Sequence, residues 1–491
     1  MMNKKALVIG SGFAGLSAAI SFASKGFETN ILEKNSQIGG RARQFSESGF
    51  TFDMGPSWYW MPDVFESFFN RFGKSVSDYY NLIRLDPSYQ VVYGLNDGMP
   101  IPAKMNELED LFESLEKGAG LQLREFMKQA AYKYEVGINK LVYKPGRSLT
   151  EFASLKLLVD VIRMDVFQSM SKHVRKFFKH PKLIQLMEFP VLFLGALPQN
   201  TPALYSLMNY ADMSLGTWYP EGGMHKIVEA MGKLAVELGV DIKTDHNVTG
   251  IKTQGGIVSS VETSQGSFTA DVVIAGADYH HVETKLLDAK DRNYSDAYWD
   301  KRVMAPSSLL YYVGLNKRID GLLHHNLFFD TDFTPHAHNI YTDPAWPDDP
   351  LFYASLTSKT DPTVAPEGHE NLFLLIPVAP GLEENEDIRT KYFDMIFKRM
   401  ENYTGQSLKD NIVYYRSFAH KDFVSEYNSF KGNAYGLANT LRQTAILKPS
   451  LKSKKIKNLY FTGQLTTPGP GVPPSLISGL VVADEVEKEI R

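Results

Sequence analysis

Cysteine is absent from all 491 residues. That removes disulfides, thiolate zinc sites, iron–sulfur ligation and a catalytic thiol from consideration. The 12 histidines show no HExxH or comparable spacing, so no resident metal is expected. An excess of positive charge is also missing: the net charge of −4 gives no electrostatic footprint for nucleic acid. No window reaches about 18 uninterrupted apolar residues, so no helix is expected to span a membrane. The start, Lys4-Lys5 followed by ALVIGSGFAGLSAAI, has a signal-peptide flavour, but three glycines interrupt the apolar run. What the chain has in quantity is aromatic rings, 30 Phe and 25 Tyr. They are enough to fill cores and also to line a pocket for a large apolar ligand.

KALVIGSGFAGLSAAISFASKGFETNILEK reads as strand, tight turn, helix, strand. Gly10 permits the turn, Gly12 lets a pyrophosphate approach the backbone, and Gly15 lets helix and strand pack closely. The helix N-terminus offers free N–H groups and a positive dipole to phosphate. Glu33 ends the second strand, 18 residues after Gly15, where it can accept hydrogen bonds from the adenosine ribose. Strands, helix, glycines and acid in register define a dinucleotide site. GGRAR then follows at Gly39 to Arg43, with a second glycine pair for close backbone approach and Arg41 or Arg43 to meet phosphate.

Further on, Gly222 and Gly223 precede a helical pattern, with Ile227, Met231, Leu234 and Leu238 on one face and Gly239 as its stop. A hairpin turning at Gln265-Gly266 and a buried strand, Val272 to Ala275, come next, so the nucleotide fold resumes after a long insertion. Near the C-terminus a strand, Asn458 to Thr462, runs into TTPGPGVPPS (Thr466 to Ser475), with four prolines and two glycines in ten positions. Pro474 suits the first turn of a helix, where its missing N–H costs nothing. So stiff a corner aims a helix N-terminus at a ligand returning from the first domain.

The GxGxxG–Glu–GGRAR series resembles the FAD-binding start of the amine oxidase and carotenoid desaturase superfamily. The blocks FDMGPSWYWMPDVFESFF (from Phe52), GADYHHVETKLL (from Gly276), YGLANTLRQTAILKP (from Tyr435) and T-x-PGxGxPP resemble, within it, the bacterial-type phytoene desaturases. The segment from Glu188 to Met224 does so as well. The resemblance covers nearly the whole chain. It implies FAD, with no second nucleotide unit for NAD, held by Gly10, Gly12, Phe13, Ala14, Gly15, Glu33 and Lys34. Gly40 and Arg41, then Gly55, Pro56 and Ser57, and Val248 through its backbone complete the first part of that set. The corner residues Gly463, Gly471, Val472 and Pro473 would lie against the flavin ring, the helix dipole favouring negative charge there.

The implied fold class is α/β: a discontinuous Rossmann-like FAD domain with a mixed helix/strand substrate domain, monotopic on a membrane. Its segments are 1–95, 216–290 and 431–491 for FAD, 96–215 for a helical membrane-facing part, and 291–430 for a strand-rich part. Candidate strands in the last are Leu309 to Leu315, Leu351 to Leu356 and Asn371 to Ile376. The implied reaction desaturates phytoene towards lycopene by hydride transfer to flavin N5, with quinone or oxygen as final acceptor. Asp212 is the candidate to steady the cation or take the proton, the bland alternative being an acid that caps a turn; Arg147 is weaker. A C40 hydrocarbon costs on the order of 30 kcal/mol to carry through water, at about 0.8 kcal/mol per CH₂, so a membrane lipid surface is the expected partner. Lys172, Arg175, Lys176, Lys179 and Lys182 form an acid-free run, with Phe177 and Phe178 as candidates to dip into lipid and a solvated face as the alternative. The localisation expected is the cytoplasmic side of the cell membrane. Rival readings are a desaturase of dehydrosqualene or a hydroxycarotenoid, a redox-neutral carotene isomerase, and a non-catalytic lipid-binding escort protein. A soluble NAD-dependent dehydrogenase would leave the corner unexplained.

Overall fold

The computed structural model describes residues 4–148, 151, 168–194, 197–440 and 443–490. Most of the segment from Ser148 to the basic run, and positions 441–442 of the Tyr435 block, lie outside them.

The nucleotide sheet is built by alternation of apolar strands with packing helices. Strand β1 (Lys5–Ile9) pairs in parallel with β2 (Glu28–Leu32) on one side and Val272–Ala275 on the other. Asp241–Lys243 and Leu459–Phe461 complete the two edges, also in parallel. Ala6 to Ile9 and Val272 to Ala275 are buried on both faces, which is why they read as unbroken apolar runs. Helix α1 (Phe13–Ser24) joins β1 to β2 and packs against the C-terminal helix Val472–Ile490. The helix His225–Glu237 buries Ile227, Met231 and Leu234, and Gly239, at φ 85°, ends it. The hairpin after it pairs Thr263 with Gly266, so its turn is Ser264-Gln265, one residue earlier than expected.

A second sheet of seven strands carries the order Ile412–Phe418, Ser307–Leu315, Glu370–Val378, Phe352–Ser355, His325–Phe328, Tyr89–Gly94, Asp97–Ile101. Only His325–Phe328 with Tyr89–Gly94 is parallel. Strand alternation divides Ser307–Leu315: Leu309, Tyr311, Val313 and Leu315 face the helix Glu386–Thr404, while Leu310 and Tyr312 face the other core. The hairpin Tyr89–Gly94/Asp97–Ile101 spans the expected boundary at 95/96 and hydrogen-bonds into this sheet. Ladder bonds to His325–Phe328, more than 200 residues away, assign the hairpin there.

Helices Pro181–Glu188 and Leu207–Met213 meet this hairpin through Lys182 with Asp97 and Asp212 with Tyr89, and Ala119–Val136 packs with Met105–Leu115, Met170–Phe177 and Leu207–Met213. Phe178 is fully buried against Phe112 and Phe126, and Phe177 packs on Phe126 at 5.3 Å. Phe178 is therefore core and not a lipid-dipping residue. Lys182 pairs with Asp97 at 2.6 Å and Arg175 with Glu188, so part of the basic run is internally neutralised. Among the described residues no helix is long and apolar enough to cross a membrane.

Candidate active site

A cavity of about 480 Å³ runs from the nucleotide sheet to the seven-stranded sheet. Its first wall is the β1–α1 turn, and the three glycines divide the work. Gly10 adopts φ 92°, which favours glycine. A Cβ at Gly15 would sit 2.0 Å from the Gly10 carbonyl oxygen, so Gly15 serves the packing of helix on loop. A Cβ at Gly12 would meet nothing within 4 Å, although Gly12 lines the cavity. The second glycine pair faces the first: Gly39 donates its N–H to the Ser11 carbonyl at 3.0 Å, and a Cβ on Gly40 would lie 3.3 Å from Gly12 Cα. Two side-chain-free turns thus border one slot at the N-terminus of α1.

Glu33 is buried at the end of β2. One carboxylate oxygen accepts from Ser11 N–H and hydroxyl (2.9 and 2.6 Å), the other from Asn35 N–H and Nδ2 (both 2.9 Å). A carboxylate has about four lone-pair sites, so Glu33 clamps the glycine turn, and a ribose hydroxyl would exchange with the Asn35 side chain. Arg41 lines the cavity, donates to Ser429 Oγ at 2.9 Å and lies over the Tyr427 ring, while its buried Nε has no partner. Burial pulls its pKa down and buried Asp278 opposes that. A Cβ on Gly55 would be 2.6 Å from the Arg41 carbonyl oxygen. Phe13, Ala14, Lys34, Pro56, Ser57 and Val248 also line this end.

The proline corner closes the cavity from the opposite side. Gly463 (φ 106°) donates to Ser478 Oγ at 3.0 Å, and Thr466 Oγ1 donates back to the Gly463 carbonyl at 2.8 Å. Gly471 (φ 112°), Val472 and Pro473 bring the N-terminus of the last helix to the cavity wall. Ser17 Oγ of α1 donates to the Leu476 carbonyl, and a Cβ on Gly479 would be 2.4 Å from the Ala14 carbonyl oxygen. Two helix N-termini therefore converge on one space, fixed to each other by close backbone contact. Beyond the corner the walls turn apolar and aromatic, with Trp58, Trp60, Phe189, Leu310, Leu327 and Phe329.

The structure gives Asp212 a different place from that expected of a group meeting substrate. It is 1% exposed and stands outside the cavity lining, accepting from Tyr89 Oη at 2.7 Å and Thr217 Oγ1 at 3.4 Å. Thr217 Oγ1 in turn accepts from Trp60 Nε1 at 2.9 Å. Burial pushes the Asp212 carboxyl up to about 7. Asp212 thus supports the aromatic wall from behind. Arg147 is remote too, paired with Glu485 and Glu489 near the end of the last helix. Sequence reading gave no role to Tyr353, which lines the cavity, or to His325 behind it. The available signal was GPSWYW, whose Trp58 stacks on His325 at 4.3 Å.

The cradle fits FAD on observations of this structure: a slot between two glycine turns in which Gly12 lacks a side chain that the packing would have room for, an unpartnered buried Arg41 Nε, and two convergent helix N-termini. With an apolar chamber continuing from the flavin corner, fold and site define an FAD-dependent oxidoreductase. The family model described as flavin containing amine oxidoreductase matches residues 13–487. A carotenoid 3,4-desaturase of Haloarcula japonica is 44% identical over 98% of both chains. A zeta-carotene-forming phytoene desaturase of Myxococcus xanthus is 31% identical, covering 99% of this chain and 94% of that one. Among solved structures, an oxidoreductase from Methanosarcina mazei superposes with TM-score 0.64 at 16% identity, covering 98% of this chain and 100% of that one. A reduced UDP-galactopyranose mutase gives TM-score 0.60 at 15% identity, covering 99% and 96%. The chain belongs to the flavin containing amine oxidoreductase family and, within it, to the carotenoid desaturases.

Proposed function

We propose that the protein desaturates phytoene towards lycopene in carotenoid biosynthesis. The observation that carries this is the continuous cavity, glycine-bordered and polar at the nucleotide end, aromatic and aliphatic beyond the flavin corner. Bound FAD supplies a two-electron hydride acceptor. The chain's own residues do the rest. Trp58, Trp60, Phe189 and Phe329 give an extended polyene apolar contact, and their faces attract a developing allylic cation, a contribution of about 0.5–2 kcal/mol per ring. The corner would hold the flavin-facing wall in place, because its prolines restrict the backbone and the helix behind it is tied to α1 through Ser17 and Leu476.

The substrate is taken from lipid and the protein sits peripherally on the cytoplasmic side of the cell membrane, since the aqueous route is closed by the transfer cost of a C40 chain. Quinone or oxygen serves as the final acceptor. A second reading, desaturation of a later, already conjugated carotenoid, is favoured by the 44% identity to the Haloarcula enzyme. The deciding experiment incubates purified protein with FAD, a quinone and liposomes carrying phytoene or lycopene, with spectra and chromatography of the products. Stepwise lengthening of the phytoene chromophore supports the first reading. Conversion of lycopene alone moves the assignment to the second, and a shifted isomer pattern without longer chromophores indicates an isomerase.

A further inference from the structure

Desaturation takes one hydrogen with its electron pair and leaves a second as a proton, and that proton starts inside an apolar chamber. Asp212 stands behind the wall, and His336, which does line the chamber, has both ring nitrogens committed: Nε2 to the Pro377 carbonyl at 2.7 Å and Nδ1 to Leu351 N–H at 3.0 Å. Tyr353 differs. It lines the chamber from the strand Phe352–Ser355, and its hydroxyl lies 2.6 Å from Nδ1 of His325, which is fully buried. The other nitrogen of His325, Nε2, has no partner. The next residue, His324, places its ring centroid 4.3 Å from that of His325, and its Nε2 is unpartnered as well. His324 Nδ1 then meets Thr360 Oγ1 at 2.7 Å, and Thr360 is half-exposed. Two buried imidazoles, each with one committed and one free nitrogen, thus stand between the chamber wall and the surface.

We propose that Tyr353, His325, His324 and Thr360 form the exit path for the proton of the dehydrogenation. The substrate is oxidised and the flavin reduced as one C–H bond breaks with its electron pair leaving as hydride. The C–H bond on the neighbouring carbon breaks with its pair staying to form the new C=C. Its proton goes to Tyr353 Oη and the Tyr353 hydroxyl proton to His325 Nδ1; the His325 Nε2 proton passes through a water bridging the two unpartnered nitrogens to His324 Nε2, and the His324 Nδ1 proton through Thr360 Oγ1 to water. Burial holds both imidazoles well towards the neutral form, with nearby Asp361 opposing this at His324. A relay in which each ring takes a proton on one nitrogen as it yields one from the other suits neutral rings, since neither stores charge. Tyr353 is the group that meets substrate; the histidines act through it.

This inference rests on the dehydrogenation reading. Its test is anaerobic single turnover of the FAD-loaded protein on liposomes carrying phytoene or lycopene, with flavin bleaching and a pH-indicator dye followed together. Tyr353→Phe is near-isosteric, and His325→Asn keeps a hydrogen bond to Tyr353 but cannot pass a proton on. The expected result is a fall of about 10²–10⁴ in the rate of flavin bleaching, with the carotenoid concentration for half-maximal rate within threefold, bound FAD retained, and proton release lagging flavin bleaching. If His325→Asn does not fold, Tyr353→Phe decides alone. Variants with a bleaching rate within threefold of wild type and no lag in proton release overturn the path while leaving the function standing. A wild-type protein that oxidises neither carotenoid overturns both.

Discussion

Gly12 separates what the fold needs from what the cofactor needs. Its backbone, φ −68° and ψ 176°, is open to any L-residue, and a Cβ there would touch no protein atom within 4 Å. Gly12→Ala removes some unfolded-state freedom, a gain of about 0.4–1 kcal/mol. It also replaces a tolerable N-cap of α1 with a poorer one, and the two effects offset to within about 0.5 kcal/mol. Apoprotein stability in urea should therefore be unchanged. The new methyl, however, projects into the slot shared with Gly40, where the pyrophosphate meets backbone N–H groups. Losing one or two charge-assisted hydrogen bonds at about 1.5–3 kcal/mol each raises the FAD dissociation constant by about 10- to 10⁴-fold. Titration of apoprotein with FAD, followed by quenching of flavin fluorescence, measures this directly. Gly15→Ala should behave oppositely, losing apoprotein stability outright, since its Cβ would sit 2.0 Å from the Gly10 oxygen. A Gly12→Ala protein that binds FAD within threefold of wild type refutes the reasoning. So does one whose apoprotein loses more than about 1 kcal/mol.

Gly479→Ala should destabilise by about 1–3 kcal/mol or more and weaken FAD, because its Cβ would press on the Ala14 and Ala18 backbone; Gly250→Ala, with nothing within 4 Å, is the control in thermal melts. Asp212→Asn should leave kcat within a few-fold, whereas a group acting on substrate would lose about 10²-fold or more. Because burial raises the Asp212 pKa to about 7, the unfolded chain gives up that proton first, so wild-type stability falls as pH rises from about 4 to 7. The Asn variant should be the more stable at pH 8 and not at pH 4, by urea unfolding. Lys448 is buried against Gly469 of the corner with no hydrogen-bond partner, and burial lowers it to about 7. Its cost is full below pH 7 and fades as pH rises towards the ordinary lysine range. Lys448→Met should therefore gain on the order of 4 kcal/mol at pH 6 and little at pH 10; equal gains at both would contradict the assignment.

The nucleotide half of the site was legible because its signals are local. GxGxxG, Glu33, the Gly39-Gly40 pair and the proline corner each declare a backbone path within a few residues, and backbone paths hold phosphates. The catalytic end was not legible, because it depends on which side chains share a wall after folding. Asp212 lies ten residues before the Gly222-Gly223 pair in sequence, yet Tyr89, from a strand more than 100 residues earlier, stands between it and the chamber wall. Phe178 sits inside a basic run and still turns inward to Phe112. Tyr353 and His325 are 28 residues apart, joined by adjacent antiparallel strands whose register no local pattern reveals.

The order of strands in the nucleotide sheet also sets a schedule for the ribosome. Four of its five strands have been synthesised by Ala275, but the fifth, Leu459–Phe461, and the helix behind it emerge about 180 residues later. At about 5–20 residues per second, the half-built cradle waits on the order of 10–40 seconds for its last wall. A nascent or prematurely ended chain therefore lacks the surface that faces the flavin, and the cell has no partly made enzyme that could hold the cofactor in working order.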